Sequence, residues 1–213
     1  MPDTSSNKPP THCWKWQTGY PPTNCAAPAN GVVSCNPATF EDGVVVTLPD
    51  GSTVQGVAES VDSEDNQNWT ITLKDGWTFH DGTPVTAQSF VDAWNYTAYS
   101  PNANGASYFF ANVEGYDDLQ APTDDEGNPT GDPAAEEMSG LEVVSDTEFT
   151  VTLATPFAQF PVTVGYNAFY PLPEAFFEDP EAFGTRPIGN GPYQAEEDFV
   201  PGTGFTVTRY EDY

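Results

Sequence analysis

The sequence has very little positive charge. Only 5 lysine and arginine residues stand against 32 aspartate and glutamate residues, so the net charge at pH 7 is −27. A nucleic-acid-binding protein needs a basic face to neutralise phosphates, so nucleic acid is excluded as a natural partner. The same shortage disfavours an anionic membrane surface. We interpret the acidity as a solvated surface, with attraction of cationic ligands as the alternative.

Histidine is also scarce, which limits the enzyme classes that the chain can support. Only His12 and His80 are present, and the G-x-S-x-G elbow of serine hydrolases is missing. No pattern selects a pair of carboxylates for glycoside hydrolysis. His80 lies in the turn motif that is predicted to hold the hairpin to its helix, and we expect it to have a structural role. The sequence therefore predicts a protein that is not an enzyme and that needs no metal and no cofactor.

Long apolar runs are missing as well. No run reaches the length of a membrane helix. The first residues, MPDTSSNKPP, lack the apolar core of a signal peptide, so we expect none in this chain. A length of 213 residues is enough to bury the core of one domain.

The three cysteines, Cys13, Cys25 and Cys35, lie in a proline-rich segment that we predict to be irregular over residues 1–38. Their odd number leaves the pairing open. A Cys13–Cys25 disulfide with Cys35 free is one solution, and a pairing that uses Cys35 is another. A zinc site that adds His12 lacks support, because the C-x-x-C spacing of such sites does not occur.

Residues 56–98 carry the clearest structural signals. Apolar and polar residues alternate over 69–73 and again over 77–79, which predicts a hairpin across the intervening Lys-Asp-Gly turn. Thr86 is placed to cap a following helix. The inner face of that helix carries apolar residues at positions i, i+4 and i+8, namely Phe90, Trp94 and Ala98.

Further elements follow from the same patterns. Residues 141–144 and 148–153 predict a second hairpin, with Phe149, Val151 and Leu153 on its buried face. A short helix over 157–164 is expected to turn Phe157 and Phe160 inward. The acidic stretch 117–137 lacks the D-x-D-x-D-G spacing of a calcium loop, so we expect a solvated loop. Additional short strands and helical turns are expected at 44–48, 54–57, 174–177, 179–183, after Tyr193 and at 205–209.

Several long motifs share one resemblance. They are AES followed by WTITLKDGWTFHDGTPVTAQSFVDAW, then EVVSDTEFTVTL, FAQFPV, FYPLPEAFF and PIGNGPY. Their order and spacing, from about residue 57 to 213, resemble the family 5 extracellular solute-binding proteins, the receptors of ABC importers. The resemblance implies an α+β chain with the type-2 periplasmic-binding-protein fold. Residues 39–213 would form an incomplete lobe I with a mixed sheet, hairpins and covering helices, whereas 1–38 depart from the family pattern.

The resemblance also implies a function. The chain would be the substrate-binding component of an ABC transporter that captures oligopeptides outside the cell and delivers them to a permease, as two lobes close around the ligand. Peptides are held by main-chain hydrogen bonds and roomy, partly apolar pockets. The positions that match the family's ligand-contacting segments in lobe I are Tyr108, Phe109, Tyr166, Asn167, Asn190 and Gly191.

Other interpretations stay open at this point. The chain could be a non-binding fragment or an interaction module whose cysteine- and tryptophan-rich head is the contact surface. Within the family, nickel chelates or sugars are rival ligands. We expect self-association, or pairing with a complementary chain, through the face that a second lobe would cover. The resemblance places the protein outside the cell, with a lipid anchor in the full-length parent.

Overall fold

The computed structural model describes residues 42–47, 53–199 and 206–213. The predictions for the cysteine-rich segment 1–38, including its disulfide and zinc alternatives, fall outside these ranges, as does the first residue of the strand expected at 205–209.

A four-stranded sheet forms the centre of the described part of the chain. Its strands are β3 (Ala58–Asp62), β4 (Asn68–Leu73), β5 (Leu141–Ser145) and β6 (Glu148–Thr152), in the order β3-β4-β6-β5. The predicted hairpin of β5 and β6 is confirmed, and so is the strand at 69–73. Alternation places Phe149, Val151 and Leu153 in the core, as expected.

The partner predicted for β4 is wrong. Residues 77–79 form no strand with it, and β4 pairs with β3 on one side and β6 on the other. Residues 77–79 instead bond to the chain just beyond them. The Val85 N–H donates to the Trp77 carbonyl at 2.9 Å, and the Phe79 N–H donates to the Thr83 carbonyl at 2.8 Å. Alternation thus identified an extended segment correctly but could not identify its neighbour.

The helix α1 (Ala87–Ala98) covers one face of the sheet. Thr86 caps it as predicted, and Ser89 completes a capping box. Phe90 stacks on Phe149 with ring centroids 5.8 Å apart, and Trp94 meets the same ring edge-on at 5.4 Å. All three residues predicted for the inner face of the helix are fully buried.

Two small antiparallel pairs flank this core. β1 (Val45–Thr47) pairs with β2 (Thr53–Gln55), and β7 (Tyr193–Ala195) pairs with β8 (Val207–Arg209). The remaining short elements are α2 (Phe160–Thr163), α3 (Glu174–Glu178), α4 (Pro180–Thr185) and 3-10 helices at Ser100–Asn102, Ser107–Phe110, Tyr116–Leu119 and Asn167–Phe169.

Three further expectations can be compared with these elements. The mixed sheet is a correction, because every strand pairing among the described residues is antiparallel. Strands β3 and β4, and likewise β5 and β6, follow each other directly in the sequence, as antiparallel neighbours commonly do, whereas β4 pairs with β6 across the long connection that contains α1. The helix predicted at 157–164 begins only at Phe160, and Phe157 is 37% exposed instead of inward. The acidic stretch is exposed over most of its length, as predicted.

No described helix is long and apolar enough to cross a membrane.

Candidate functional site

Three of the predicted ligand residues lie together in one stack of aromatic rings. Tyr108 stacks on Phe109 with ring centroids 4.4 Å apart and planes 28° apart. The other side of Phe109 faces Tyr166, again at 4.4 Å and with planes 26° apart. Residues 58 positions apart in the sequence are thus assembled into one group of three stacked rings, which we call the aromatic stack.

Buried neighbours hold the aromatic stack in place. Phe110 is fully buried and packs on Phe169 at 4.6 Å, so the two 3-10 helices that carry the stack are pinned to each other. The Ser107 hydroxyl donates to the Ala98 carbonyl at 2.9 Å, which ties this short helix to the end of α1. The exposed rings therefore project from anchored backbone and not from a loose loop.

The two outer rings of the aromatic stack are open to solvent. Tyr108 is 65% exposed and Tyr166 is 49% exposed. Within the described ranges, neither phenolic hydroxyl has a hydrogen-bond partner. Phe109 is partly buried between them, and Asn167 lies half-buried directly after Tyr166. Such a surface offers a large apolar area with free polar tips, which suits a ligand that is itself partly apolar.

Asn190, another predicted ligand residue, is occupied by the protein itself. Its side chain is 1% exposed, and its Oδ1 accepts from the Asp42 N–H at 2.8 Å while its Nδ2 donates to the Asp42 carbonyl at 2.9 Å. The amide thereby copies the pairing of a strand and holds the backbone of Asp42, three residues before β1. The geometry gives Asn190 a positioning role, and its contact with a ligand stays a prediction.

Gly191, the sixth predicted residue, is buried and bonded to His80. The Nε2 of His80 lies 2.9 Å from the Gly191 carbonyl, and the Gly189 N–H donates to Nδ1 at 3.1 Å. Nδ1 must therefore be the unprotonated nitrogen, and Nε2 carries the proton. Burial lowers the pKa of His80, against smaller opposing effects of the Gly191 bond and the Asp81 charge. These contacts agree with the structural role predicted for His80.

A cavity of about 340 Å³ lies beside Asn190. Trp77 and Tyr213 are among its lining residues and meet edge-on with ring centroids 5.7 Å apart. The Tyr213 hydroxyl donates to Oδ2 of Asp42 at 2.6 Å. Burial raises the pKa of Asp42 although this bond opposes the shift, and burial together with the bond raises the pKa of Tyr213.

Sequence reasoning missed the role of Asp42. It is one of 32 acidic residues, and its partners Asn190 and Tyr213 are 148 and 171 positions away. Its place directly before a predicted strand was the only local signal. No position pattern could have selected this carboxylate from the others.

The site offers binding contacts more readily than catalytic ones. Both ring nitrogens of His80 already bond to backbone groups, so His80 cannot act as a base without losing one of those bonds. Among the described residues, no group of three or more histidine, cysteine, aspartate or glutamate side chains is placed to hold a metal ion. Among the predicted ligand residues, Tyr108 and Tyr166 are the exposed ones.

Comparisons with known proteins agree with this geometry. Residues 52–213 match the family described as bacterial extracellular solute-binding proteins, family 5 Middle. The periplasmic murein peptide-binding protein MppA of Escherichia coli strain K12 is 33% identical over 162 residues, which are 75% of this chain and 28% of MppA. The periplasmic oligopeptide-binding protein OppA of the same strain is 32% identical over 163 residues, which are 73% of this chain and 28% of OppA.

Solved structures agree as well. The structure of the Escherichia coli murein tripeptide binding protein MppA superposes with a TM-score of 0.70 and 27% identity, over 83% of this chain and 33% of that one. The type-2 fold implied by the motifs is therefore confirmed. The chain spans about 28% of the length of the two curated relatives.

Proposed function

The chain belongs to the bacterial extracellular solute-binding proteins of family 5, and we propose from this premise that it helps to capture oligopeptides for import. The names of its relatives support peptides as the ligand class, since they bind murein peptides and oligopeptides. Delivery to an ABC permease, a location outside the cell and a lipid anchor in a longer parent belong to the same proposal.

The aromatic stack is the observation that carries the proposal. A peptide side chain or proline ring that lies on Tyr108 or Tyr166 removes apolar surface from water on both partners. The free phenolic hydroxyls can bond to peptide carbonyl or N–H groups. Because the rings are already stacked and anchored, binding needs little further ordering of these side chains.

The stack itself carries no charge, which limits what this chain contributes. It can hold the middle of a peptide, but the charged ends need ionic partners. We propose that a second lobe, closing over the stack by hinge motion, supplies them. Asn167 at the edge of the stack, and Asn190 with Gly191 at the cavity, are the remaining proposed contacts in this chain.

We also propose that binding proceeds without turnover. The family consists of receptors, and the bonded state of His80 supports this assignment for the present chain. Sugar rings also stack on aromatic surfaces, so a sugar is the rival ligand on this geometry. A nickel chelate is a second rival known from the family resemblance.

Isothermal titration calorimetry with a mixture of tripeptides tests the proposal. Replacing both Tyr108 and Tyr166 by alanine should weaken peptide binding about tenfold, from roughly 0.5–1.5 kcal/mol per aromatic contact. Phe157→Ala is the matched control, since Phe157 is an exposed aromatic residue outside the stack. Equal losses in both variants, or tighter binding of a sugar than of any tripeptide, would contradict the proposal.

Self-association is a second candidate activity, through exposed apolar side chains near Tyr166 in the sequence. Val162 and Tyr166 expose about half of their side chains within five residues of each other, at 56% and 49%. A second chain could cover them in place of a second lobe. Light scattering at increasing concentration tests this, because an unchanged monomer mass would rule it out. Deleting residues 1–36 tests the rival in which the cysteine-rich head is the contact surface.

A further inference from the structure

The dipeptide Asn-Gly occurs in two very different environments among the described residues. Asn104-Gly105 lies in the loop after α1, where Asn104 is half-buried and Gly105 is exposed. Asn190-Gly191 is buried, and the Asn190 side chain is only 1% exposed. Asn30-Gly31 falls outside the described ranges. We propose that Asn104 is a site of spontaneous covalent modification, at which the folded chain converts asparagine into aspartate and isoaspartate, and that the fold protects Asn190 from the same reaction.

The reaction needs only water and groups of the chain itself. The backbone nitrogen of Gly105 attacks Cγ of Asn104 and loses its proton to water, while Nδ2 takes up a proton and leaves as ammonia, so that a succinimide ring forms. Water then adds to either ring carbonyl and opens the ring. Cleavage of the bond from Cγ to the ring nitrogen gives aspartate, and cleavage of the bond from the main-chain carbonyl to that nitrogen gives isoaspartate. Nothing is oxidised or reduced.

The loop places the reacting groups of Asn104 favourably. The Ala106 N–H donates to Oδ1 of Asn104 at 3.0 Å. Oδ1 becomes negative as the nitrogen adds to Cγ, so this donor stabilises the transition state as an oxyanion hole does. Gly105 has no side chain to crowd the approach of its nitrogen. Within the described residues, the Gly105 N–H and Nδ2 of Asn104 have no hydrogen-bond partner that must be given up first.

Asn190 carries the same groups, but its side chain is fixed. Its Oδ1 accepts from the Asp42 N–H at 2.8 Å, and its Nδ2 donates to the Asp42 carbonyl at 2.9 Å. Attack on Cγ would break both bonds, because the amide must turn and Nδ2 must leave. We expect Asn190 to convert at least tenfold more slowly than Asn104. This ratio corresponds to about 1.4 kcal/mol in the activation barrier, which is the size expected for two lost hydrogen bonds.

The modification also has a consequence for the aromatic stack. Two oxygens of Asn104 hold the start of the 3-10 helix Ser107–Phe110, since Oδ1 accepts from Ala106 and the Asn104 carbonyl accepts from the Ser107 N–H at 3.1 Å. That helix carries Tyr108 and Phe109 of the stack. Aspartate keeps both acceptors in place, whereas isoaspartate adds a methylene group to the main chain and displaces them. We therefore expect isoaspartate, but not aspartate, to disturb the stacked rings.

Peptide mapping by mass spectrometry tests the modification on the whole chain, aged at neutral pH and sampled over time. Asn104 should gain the mass difference between a hydroxyl and an amino group at least tenfold faster than Asn190. Asn102 is the control in the same loop. It is exposed, but it precedes an alanine and its Nδ2 donates to the Tyr96 carbonyl at 2.8 Å, so it should not convert over the same period.

Two further samples separate the effect of the fold from that of the dipeptide. In guanidinium chloride, where the fold is lost, Asn104 and Asn190 should convert at rates within about twofold of each other. Gly105→Ala should slow the reaction of the folded chain about tenfold, or about 1.4 kcal/mol in the barrier, because a Cβ crowds the attacking nitrogen. Alanine suits this position, since the φ of Gly105 is not positive. Equal rates for Asn104 and Asn190 in the folded chain, conversion of Asn104 only in denaturant, or no conversion at all would overturn the proposal.

Near-ultraviolet circular dichroism tests the consequence for the stack. The variant Asn104→Asp supplies the aspartate product and should keep the aromatic signal of the original chain. The aged chain should lose signal in proportion to its isoaspartate content, which peptide fragmentation measures. An unchanged signal after conversion to isoaspartate would show that Asn104 does not hold the stack. A change in peptide binding would rest on the proposed function, but the conversion and the ring geometry do not.

Discussion

The predicted ligand residues fall into two groups with opposite characters: the aromatic stack, and Asn190 with Gly191. We call the second group, together with the Asp42 and His80 to which it bonds, the Asn190 junction. In the stack, Tyr108 and Tyr166 are exposed and their hydroxyls are unengaged among the described residues. At the junction, Asn190 and His80 use their polar side-chain atoms on the backbone of the same chain. The comparison shows that a residue matching a ligand-contacting segment of the family can instead stabilise that segment, by bonding to the backbone of its own chain. Exposure and unused bonding capacity distinguish the two cases.

The largest expected effect on stability comes from a substitution in the Asn190 junction. Asn190→Ala leaves the N–H and the carbonyl of buried Asp42 without partners, and we expect a loss of about 3 kcal/mol in the free energy of unfolding. Urea denaturation measures it. Asn167→Ala is the matched control in the stack group and should change stability by about 0.5 kcal/mol or less. Similar losses of unfolding free energy in the two variants would show that the junction and the stack do not differ in their contribution to stability.

An intermediate effect on the free energy of unfolding is expected from His80 as the pH falls. Burial lowers the pKa of His80 in the folded chain, so below the unfolded value of about 6.5 the unfolded chain binds the extra proton first. This contribution to stability is therefore complete above pH 6.5 and is lost toward the lower folded pKa, with a slope of up to about 1.4 kcal/mol per pH unit.

The His80→Gln variant isolates that contribution from the carboxylates. Its amide can replace at least one of the two bonds of the ring, and it does not titrate. The difference in unfolding free energy between the two chains should shrink from pH 7 to pH 5. A difference that stays constant with pH would show that His80 does not titrate differently in the folded chain.

The smallest effect on stability is expected in the stack. Tyr108→Ser removes an exposed ring, and we expect the free energy of unfolding to change by about 0.5 kcal/mol or less, while peptide binding weakens. Thermal unfolding and calorimetry on the same sample give both quantities. A large loss of stability with unchanged binding would make the stack a structural feature like the junction.

Local signals in the sequence predicted local structure well. Thr86, Phe90 and Trp94 lie within one helix, so their spacing alone fixes the cap and the buried face. The family motifs likewise predict Tyr108 and Tyr166 as ligand-contacting residues. Their stacking on Phe109 was not predicted, because it depends on how two 3-10 helices pack.

Pairings over long distances escaped prediction. Alternation predicts the next extended segment as the partner of β4, yet that segment forms its hydrogen bonds within its own turn. Asp42 is similar, since nothing in its neighbourhood indicates Asn190 or Tyr213. A strand or a carboxylate can pair equally well with many partners on local grounds, and only the packed core selects one.

The separation of 148 positions between Asp42 and Asn190 also has a consequence for synthesis. At a ribosomal rate of about 5–20 residues per second, Asp42 leaves the exit tunnel roughly 7–30 s before Asn190 does. During that interval Asp42, three residues before β1, lacks the amide that will bond to its backbone, and a slow or paused ribosome lengthens the exposure. The junction thus forms only after the sheet and α1 have emerged.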